Sequence, residues 1–373
     1  MSGETLSSGK TMNDAKDCNK LLTALSQILL VAGTHAVDTA ACPAEYAASL
    51  SNREFAELWR LATSHHVIMR TFPVLLEAPG RESALAESIR QAMIKEEARI
   101  AHALPFLAAI CSELESAGDV TVIKSLDHWP DIGTDLDLFT NAKSADVIGI
   151  LRTRFNAEVA DRSWGDRLAN KWNFIVPGLP ELVEVHVARL GQTGEQTAIT
   201  GSLLARSSAV QFADYTFKVP AAEDRIIIST LQRMYRHFYI RLCDLADNAG
   251  LLDAAAIDFH YLNLLASTAG LWEGVATYLV VVSGYVEAYR HRKLPLPSAA
   301  IHAARFGVER LRFDRNFLRI PIFPQSAKLY LSELKALLLQ GKLRSTLRLS
   351  LLPGLATAAA VEFKLTGSDK GIW

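Results

Sequence analysis

The segment from Lys124 to Phe139 reads KSLDHWPDIGTDLDLF, and at its centre Asp135-Leu136-Asp137 follows the pair Gly133-Thr134. In an extended strand successive side chains point to opposite faces, so Asp135 and Asp137 share one face and Leu136 and Leu138 the other. Two carboxylates about 7 Å apart along the backbone, at about 3.3 Å rise per residue, can converge through their oxygens on a hard cation. Mg2+ carrying phosphates is the natural occupant. Taken alone, the triplet equally describes a strand end whose acids are solvated.

A two-metal phosphoryl-transfer site needs a third acid on a neighbouring strand, and Leu182-Val-Glu-Val-His-Val supplies one. Glu184 and His186 share a face, opposite Val183, Val185 and Val187, which mirrors the arrangement around Asp135 and Asp137. His186 can act as a general base or orient Glu184 by hydrogen bonding. The competing picture is two edge strands with polar outer faces. Lys171 and Arg167 precede the strand at Asn173 and can meet a triphosphate or remain solvated. Arg233, Arg236, His237, Arg241, Asp244 and Asp247 form the charged side of an expected amphipathic helix. Trp129 offers a stacking surface, and Pro130 stiffens the loop before the acidic strand. His65 and His66 are adjacent, so on a helix they point about 100° apart and rarely ligate one ion together; a structural or surface role is expected.

These residues are to be positioned by an α+β fold. Residues 20–118 are rich in Ala, Leu, Glu and Arg with breaks at Pro43, Pro73 and Pro79-Gly80, which fits three or four helices. Within them, Phe55, Leu58, Trp59, Leu61 and Ala62, and again Ile94, Ala98, Ile100, Ala101, Leu104 and Leu107, form stripes expected to be core. Residues 119–220 change character to short β-rich runs, Val120–Lys124, Asp135–Phe139, Asn173–Val176 and Leu182–Val187, and between the second and third Ser144 can cap a helix carrying Val147, Ile148, Leu151 and Phe155 on one side. A small mixed sheet is expected there. Residues 221–373 return to helix, with candidates at Asp224–Leu245, Ala254–Ala269 and Leu271–Tyr289, partial helix over Ala299–Gly341, and a basic, weakly patterned end. Residues 1–19 are expected to be a flexible leader.

Composition narrows the class. A chain of 373 residues with half its residues hydrophobic has ample material for a core and for two or three lobes. A net charge of −1 argues against a whole-surface grip on nucleic acid, and no long nucleic-acid partner is indicated. The four cysteines, Cys18, Cys42, Cys111 and Cys243, show neither a C-x-x-C pair nor a zinc-ligand spacing. The N-terminus lacks the apolar stretch of a secretory signal, and the most apolar run, Ala276 to Val286, is about half a bilayer span, so a cytoplasmic protein without membrane partners is expected.

Ser125, a short spacer, Gly133-Thr134-Asp135-Leu136-Asp137 and later Glu184 resemble the polymerase-β-like nucleotidyltransferase superfamily, and within it an uncharacterised bacterial nucleotidyltransferase family. The likeness covers roughly residues 55–289 and is sharp only over 124–139 and 182–189. It implies a small mixed-sheet nucleotidyltransferase lobe flanked by N-terminal and C-terminal helical regions. It also implies an enzyme that uses Mg2+ (or Mn2+) to move a nucleoside monophosphate from an NTP such as ATP to an acceptor, a small molecule, protein or RNA end, with release of pyrophosphate. By that resemblance Asp135, Asp137 and Glu184 hold the metal, with Asp137 bridging two ions. Lys124, Ser125, Gly133, Thr134, Lys171 and Arg241 face the nucleotide, and Arg241 and Asp244 are the candidates from the helical lobe that closes over it, the alternative for these two being an i,i+3 ion pair on the surface. Two positions depart from the pattern: Lys124 stands where the superfamily usually has Gly, and Glu184 replaces the commoner Asp. A catalytically silent fold that binds nucleotide or a partner therefore remains an alternative, as does phosphoester hydrolysis with water as acceptor.

Overall fold

The computed structural model describes residues 12–31, 50–77, 84–254, 257–314 and 316–366. Four helices come first: α1 (Met12–Val31), α2 (Asn52–Ser64), α3 (Ile68–Leu76) and α4 (Ala84–Leu114). Helix α1 begins inside the segment expected to be a flexible leader, and the breaks expected at Pro43 and Pro79-Gly80 lie outside the described residues. Ser51 starts α2 with a capping box in which its side chain and that of Glu54 each accept from the other's backbone N–H.

Next come β1 (Val120–Val122), β2 (Asp135–Thr140), α5 (Ser144–Phe155), β3 (Glu158–Val159), α6 (Trp164–Ala169), β4 (Lys171–Ile175) and β5 (Leu182–Val187). The strands form one mixed sheet in the order β1-β2-β5-β4-β3, with β2 and β5 parallel and the other pairings antiparallel. Strand β5 matches its expected range. Strand β1 stops before Lys124, and β4 starts at Lys171, which puts that lysine on the sheet rather than in a preceding loop. A short helix α7 (Thr200–Ala205) and a hairpin, β6 (Ser208–Phe212) with β7 (Tyr215–Val219), complete this half.

The remaining chain holds α8 (Ala222–Thr230), a wide π-helical segment at Leu231–His237, β8 (Tyr239–Ile240), α9 (Leu242–Asp253), α10 (Phe259–Ala269), α11 (Trp272–Arg290) and α12 (Ser298–Ala303), then β9 (Arg312–Asp314), β10 (Phe317–Arg319), α13 (Ala327–Leu339), α14 (Leu343–Ser350) and α15 (Leu352–Thr366). The single helix expected over Asp224–Leu245 is broken. Phe238 adopts the left-handed conformation (φ 54°), and Tyr239-Ile240 pairs with β10 in a three-stranded sheet. That pairing partner lies far along the chain, where local periodicity carries no trace of it. The end expected to be weakly patterned is helical in α14 and α15.

Two cores result. Leu136, Leu138, Val183, Val185 and Val187 on one sheet face pack with the C-terminal half of α4 (Ile100, Leu104, Leu107, Ile110, Leu114) and with α5. The second core joins α1–α3 to α8–α11, so the N-terminal helices close on the C-terminal ones instead of standing apart; the Ser26 and Tyr285 hydroxyls meet across it at 2.7 Å. Phe55, Leu58, Leu61 and Ala62 are buried as expected, while Ile94, Ala98 and Ala101 lie on the exposed side of α4, off the stripe Ala92, Ile100, Ala103, Leu107. The apolar run in α11 is a buried helix, where Gly274 lets Tyr235 approach so closely that a Cβ would lie 2.4 Å from its hydroxyl oxygen. No helix among the described residues is long and apolar enough to cross a membrane.

Candidate active site

The parallel register places Asp137 opposite Glu184, and Leu136 and Leu138 opposite Val183 and Val185. Because partners in register share a face, Asp135, Asp137, Glu184 and His186 project to the side away from α4 and α5, toward the second core. Strand β4 adds Lys171 and Asn173 to the same face, opposite His186 and Glu184. One oxygen or nitrogen from each of Asp137, Glu184 and His186 lies within 4.8 Å of the others.

Glu184 is the hub. Its Oε1 accepts from Lys124 Nζ at 3.2 Å and meets His186 Nε2 at 2.7 Å, and its Oε2 accepts from Lys171 Nζ at 2.9 Å. Lys171 also pairs with Asp166 at 2.7 Å, and Asp166 is fixed by a reciprocal capping box with Ser163 at the start of α6. Lys124 Nζ lies against Asp137 Oδ1 as well. Burial pushes the acidity of both carboxyls toward the neutral form. In Glu184 the charges of Lys124 and Lys171 and the His186 contact outweigh it and hold the group well below the usual range. Asp137, with Lys124 opposing but the Glu184 charge beside it, is pushed well above. Asp135 is less buried, and burial followed by Glu184 also raises it.

Burial pushes His186 down to about 4, and His65, buried between Leu242 N–H and the Asn316 carbonyl, likewise to about 4. Both imidazoles are therefore neutral near pH 7 in the folded protein, which suits His186 to orienting Glu184. The structural role expected for His65 is what the fold shows. Between about pH 6.5 and 4 the unfolded chain binds protons at these two positions that the folded one refuses. Stability should therefore fall as pH falls through that window, by roughly 1.4 kcal/mol per pH unit for each group. Urea midpoints at pH 7 and pH 5 measure this, with His65→Gln and His186→Gln as controls; an unchanged slope in both controls would contradict it.

Ser125 is engaged by strand β2: its hydroxyl donates to Asp135 O at 3.0 Å and accepts from Asp137 N–H at 2.7 Å, which locks the acidic strand in place. Gly133 lies in the preceding loop, where Arg99 of α4 donates to the carbonyls of Ile132 and Gly133 at 3.0 Å and pairs with Glu181. The spacer is likewise structural. Asp131 accepts from Met69 and Arg70 N–H at the start of α3, and Asp127 pairs with Arg225. Trp129, read from sequence as a stacking surface, packs edge-on against Phe212. His128 Nδ1 meets Asp247 at 2.5 Å while its Nε2 faces Cys243 Sγ at 3.7 Å.

A cavity of about 300 Å³ opens over the acids, bounded on one side by Lys124, Ser125, Gly133, Thr134, Asp135, Asp137, Lys171 and Glu184. Its other side comes from the broken helix, where Arg233, Arg236, His237 and Tyr239 face the acids with Arg241. Asp244 does not pair with the Arg241 side chain; it accepts from Arg241 N–H at 2.7 Å as an N-cap contact and holds Arg233 Nε at 2.7 Å. Arg167 lies over the Trp164 ring and is not among the residues lining this cavity. In the sequence Arg233 and Arg236 belong to a charged helix face with no link to the acids. The density of Arg and His between Arg233 and Arg241 was the available signal.

No protein-family model and no curated protein matches this chain. The cleft itself carries the chemistry: hard carboxylate oxygens on one wall, guanidinium groups on the other, and room between for a small polyanion with its cation. Asp137, Glu184 and His186 are close enough to share one divalent cation such as Mg2+, while Asp135, expected as a ligand, lies on the same strand face outside that group. Lys124 contacts both Asp137 and Glu184, so either takes the cation only once that lysine moves aside.

Proposed function

We propose that the cleft binds an NTP with Mg2+ or Mn2+ and transfers its nucleoside monophosphate to an acceptor nucleophile, releasing pyrophosphate. The observation that carries this reading is the opposition of acids aligned on parallel strands, Asp135, Asp137 and Glu184, to Arg236 and Arg241 across one cavity. A polyphosphate bridged by a dication is a ligand that satisfies both walls at once. Arg241 Nε is buried without a hydrogen-bond partner among the described residues, which supports a role in receiving phosphate oxygens. The bound cation would neutralise the phosphates and acidify the acceptor hydroxyl. Asp135 and Asp137 hold and orient it; His186 keeps Glu184 ionised and in place; Arg236 and Arg241 position the phosphates for in-line attack. Small molecules and proteins are the favoured acceptors, because a net charge of −1 gives no overall positive field for tracking a long nucleic acid.

Incubating the protein with Mg2+, α-labelled NTPs and fractionated cell extract tests this reading. Label should appear on an acceptor together with pyrophosphate. A second reading, a silent nucleotide-binding module, rests on the saturation of Glu184 by Lys124, Lys171 and His186. It is favoured if NTP binds but no pyrophosphate forms with any fraction, whereas release of free phosphate with water as acceptor indicates hydrolysis.

A further inference from the structure

Lys124 stands where a cation would stand. Its ammonium lies against Asp137 Oδ1 and 3.2 Å from Glu184 Oε1, in a side chain that is 14 % exposed. The backbone that delivers it is unusual. Ser125 N–H closes on Ile123 O at 2.6 Å, a three-residue turn with Lys124 at its centre and φ of 62°. A residue with a side chain enters that left-handed region at a cost, and such turns persist only where their surroundings hold them. Here the surroundings do: Ile123 N–H bonds Asp137 O at 3.0 Å on one side of the turn, and the Ser125 hydroxyl clasps β2 on the other. The strain thus sets one positive charge between two buried carboxylates.

The two lysines of the cleft differ in freedom. Lys171 is fixed between Glu184 and Asp166. Lys124 borders both the main cavity and a small one of about 40 Å³ lined by Ile123, His186, Leu190, Gln232 and Arg236, so its stem has space on two sides. Asp137 and Glu184, buried side by side, repel each other unless a cation lies between them, and Lys124 supplies that cation from within the chain.

Resting on the nucleotidyl-transfer reading for its nucleotide limb, we propose that Lys124 is a tethered counter-ion that competes with a divalent cation for Asp137 and Glu184 and turns to the phosphates when a nucleotide enters. The nucleotide-free cleft then has low cation affinity, and cation and nucleotide bind cooperatively. Linkage between two such ligands commonly amounts to roughly 5–150-fold.

The test follows free Mn2+ by electron paramagnetic resonance on the full chain without nucleotide. Lys124→Met, which removes the charge and keeps the bulk, should bind Mn2+ at least about fivefold more tightly than the parent. Lys124→Gly, which relaxes the turn, should do the same and covers the case in which the first variant fails to fold. Adding Asp137→Asn to either should erase the gain. In EDTA, α,β-methylene ATP should bind Lys124→Met more weakly than the parent. Mn2+ affinity unchanged or lower in the folded Lys124 variants overturns the counter-ion role, and analogue affinity unaffected by Lys124→Met overturns the turn toward phosphate. Tighter Mn2+ binding with no analogue bound by either protein, in EDTA or with Mn2+ present, supports the competition while counting against the nucleotidyl-transfer reading itself.

Discussion

Asp137→Asn is expected to lower Mg2+-dependent pyrophosphate release by about 10²–10³-fold or more, the scale seen when one fixed electrostatic group is removed from a transition-state site. The substitution keeps side-chain size and the Asp137 N–H bond to Ser125, so β2 retains its place. What is lost is one negative charge at the point where β2 and β5 align and where Lys124 makes its contact. Asp135→Asn should also reduce turnover, since its carboxylate borders the cavity. The side chain of Arg236 is untouched by either change, so nucleotide binding should weaken much less than turnover. Steady-state pyrophosphate release at saturating NTP, beside binding of a non-hydrolysable analogue, separates the two effects. Parental turnover in Asp137→Asn would remove the metal site from the mechanism.

The acidic strands were legible because they obey a local rule. Alternation in DLDLF and LVEVHV fixed which side chains share a face, and the structure adds that β2 and β5 are parallel neighbours with Asp137 opposite Glu184. The opposite wall was not legible. Arg233 to Asp247 has a helical pattern, and it breaks only because Tyr239-Ile240 finds a strand partner in β10 and Phe238 turns left-handed to reach it. Propensity and periodicity sum over near neighbours, so a pairing across such a distance escapes them. The same holds for His128, which meets Asp247 and Cys243 from a loop far earlier in the chain. Lys124 is a third kind of case: its type marked it as unusual, but only the turn geometry shows that it faces the carboxylates.

Asp244→Ala should be the most damaging change to stability among the cleft residues, by about 3–5 kcal/mol, the usual cost of leaving a buried charge without its partner. Arg233 is 1 % exposed, among the largest fully buried side chains, and Asp244 holds its Nε at 2.7 Å. Asp244 also accepts the Arg241 N–H that starts α9, so alanine removes a helix cap along with the counter-charge. Asp244→Asn retains an oxygen for the cap and should fall between parent and alanine. Arg233→Met combined with Asp244→Leu should be milder than Asp244→Ala alone, because removing both charges leaves none buried and unpaired. Urea unfolding of the four proteins measures the differences through their midpoints. If Asp244→Ala loses less than about 1 kcal/mol, Arg233 finds solvent or another acid in solution, and the cavity wall that it helps build is more open than its burial indicates.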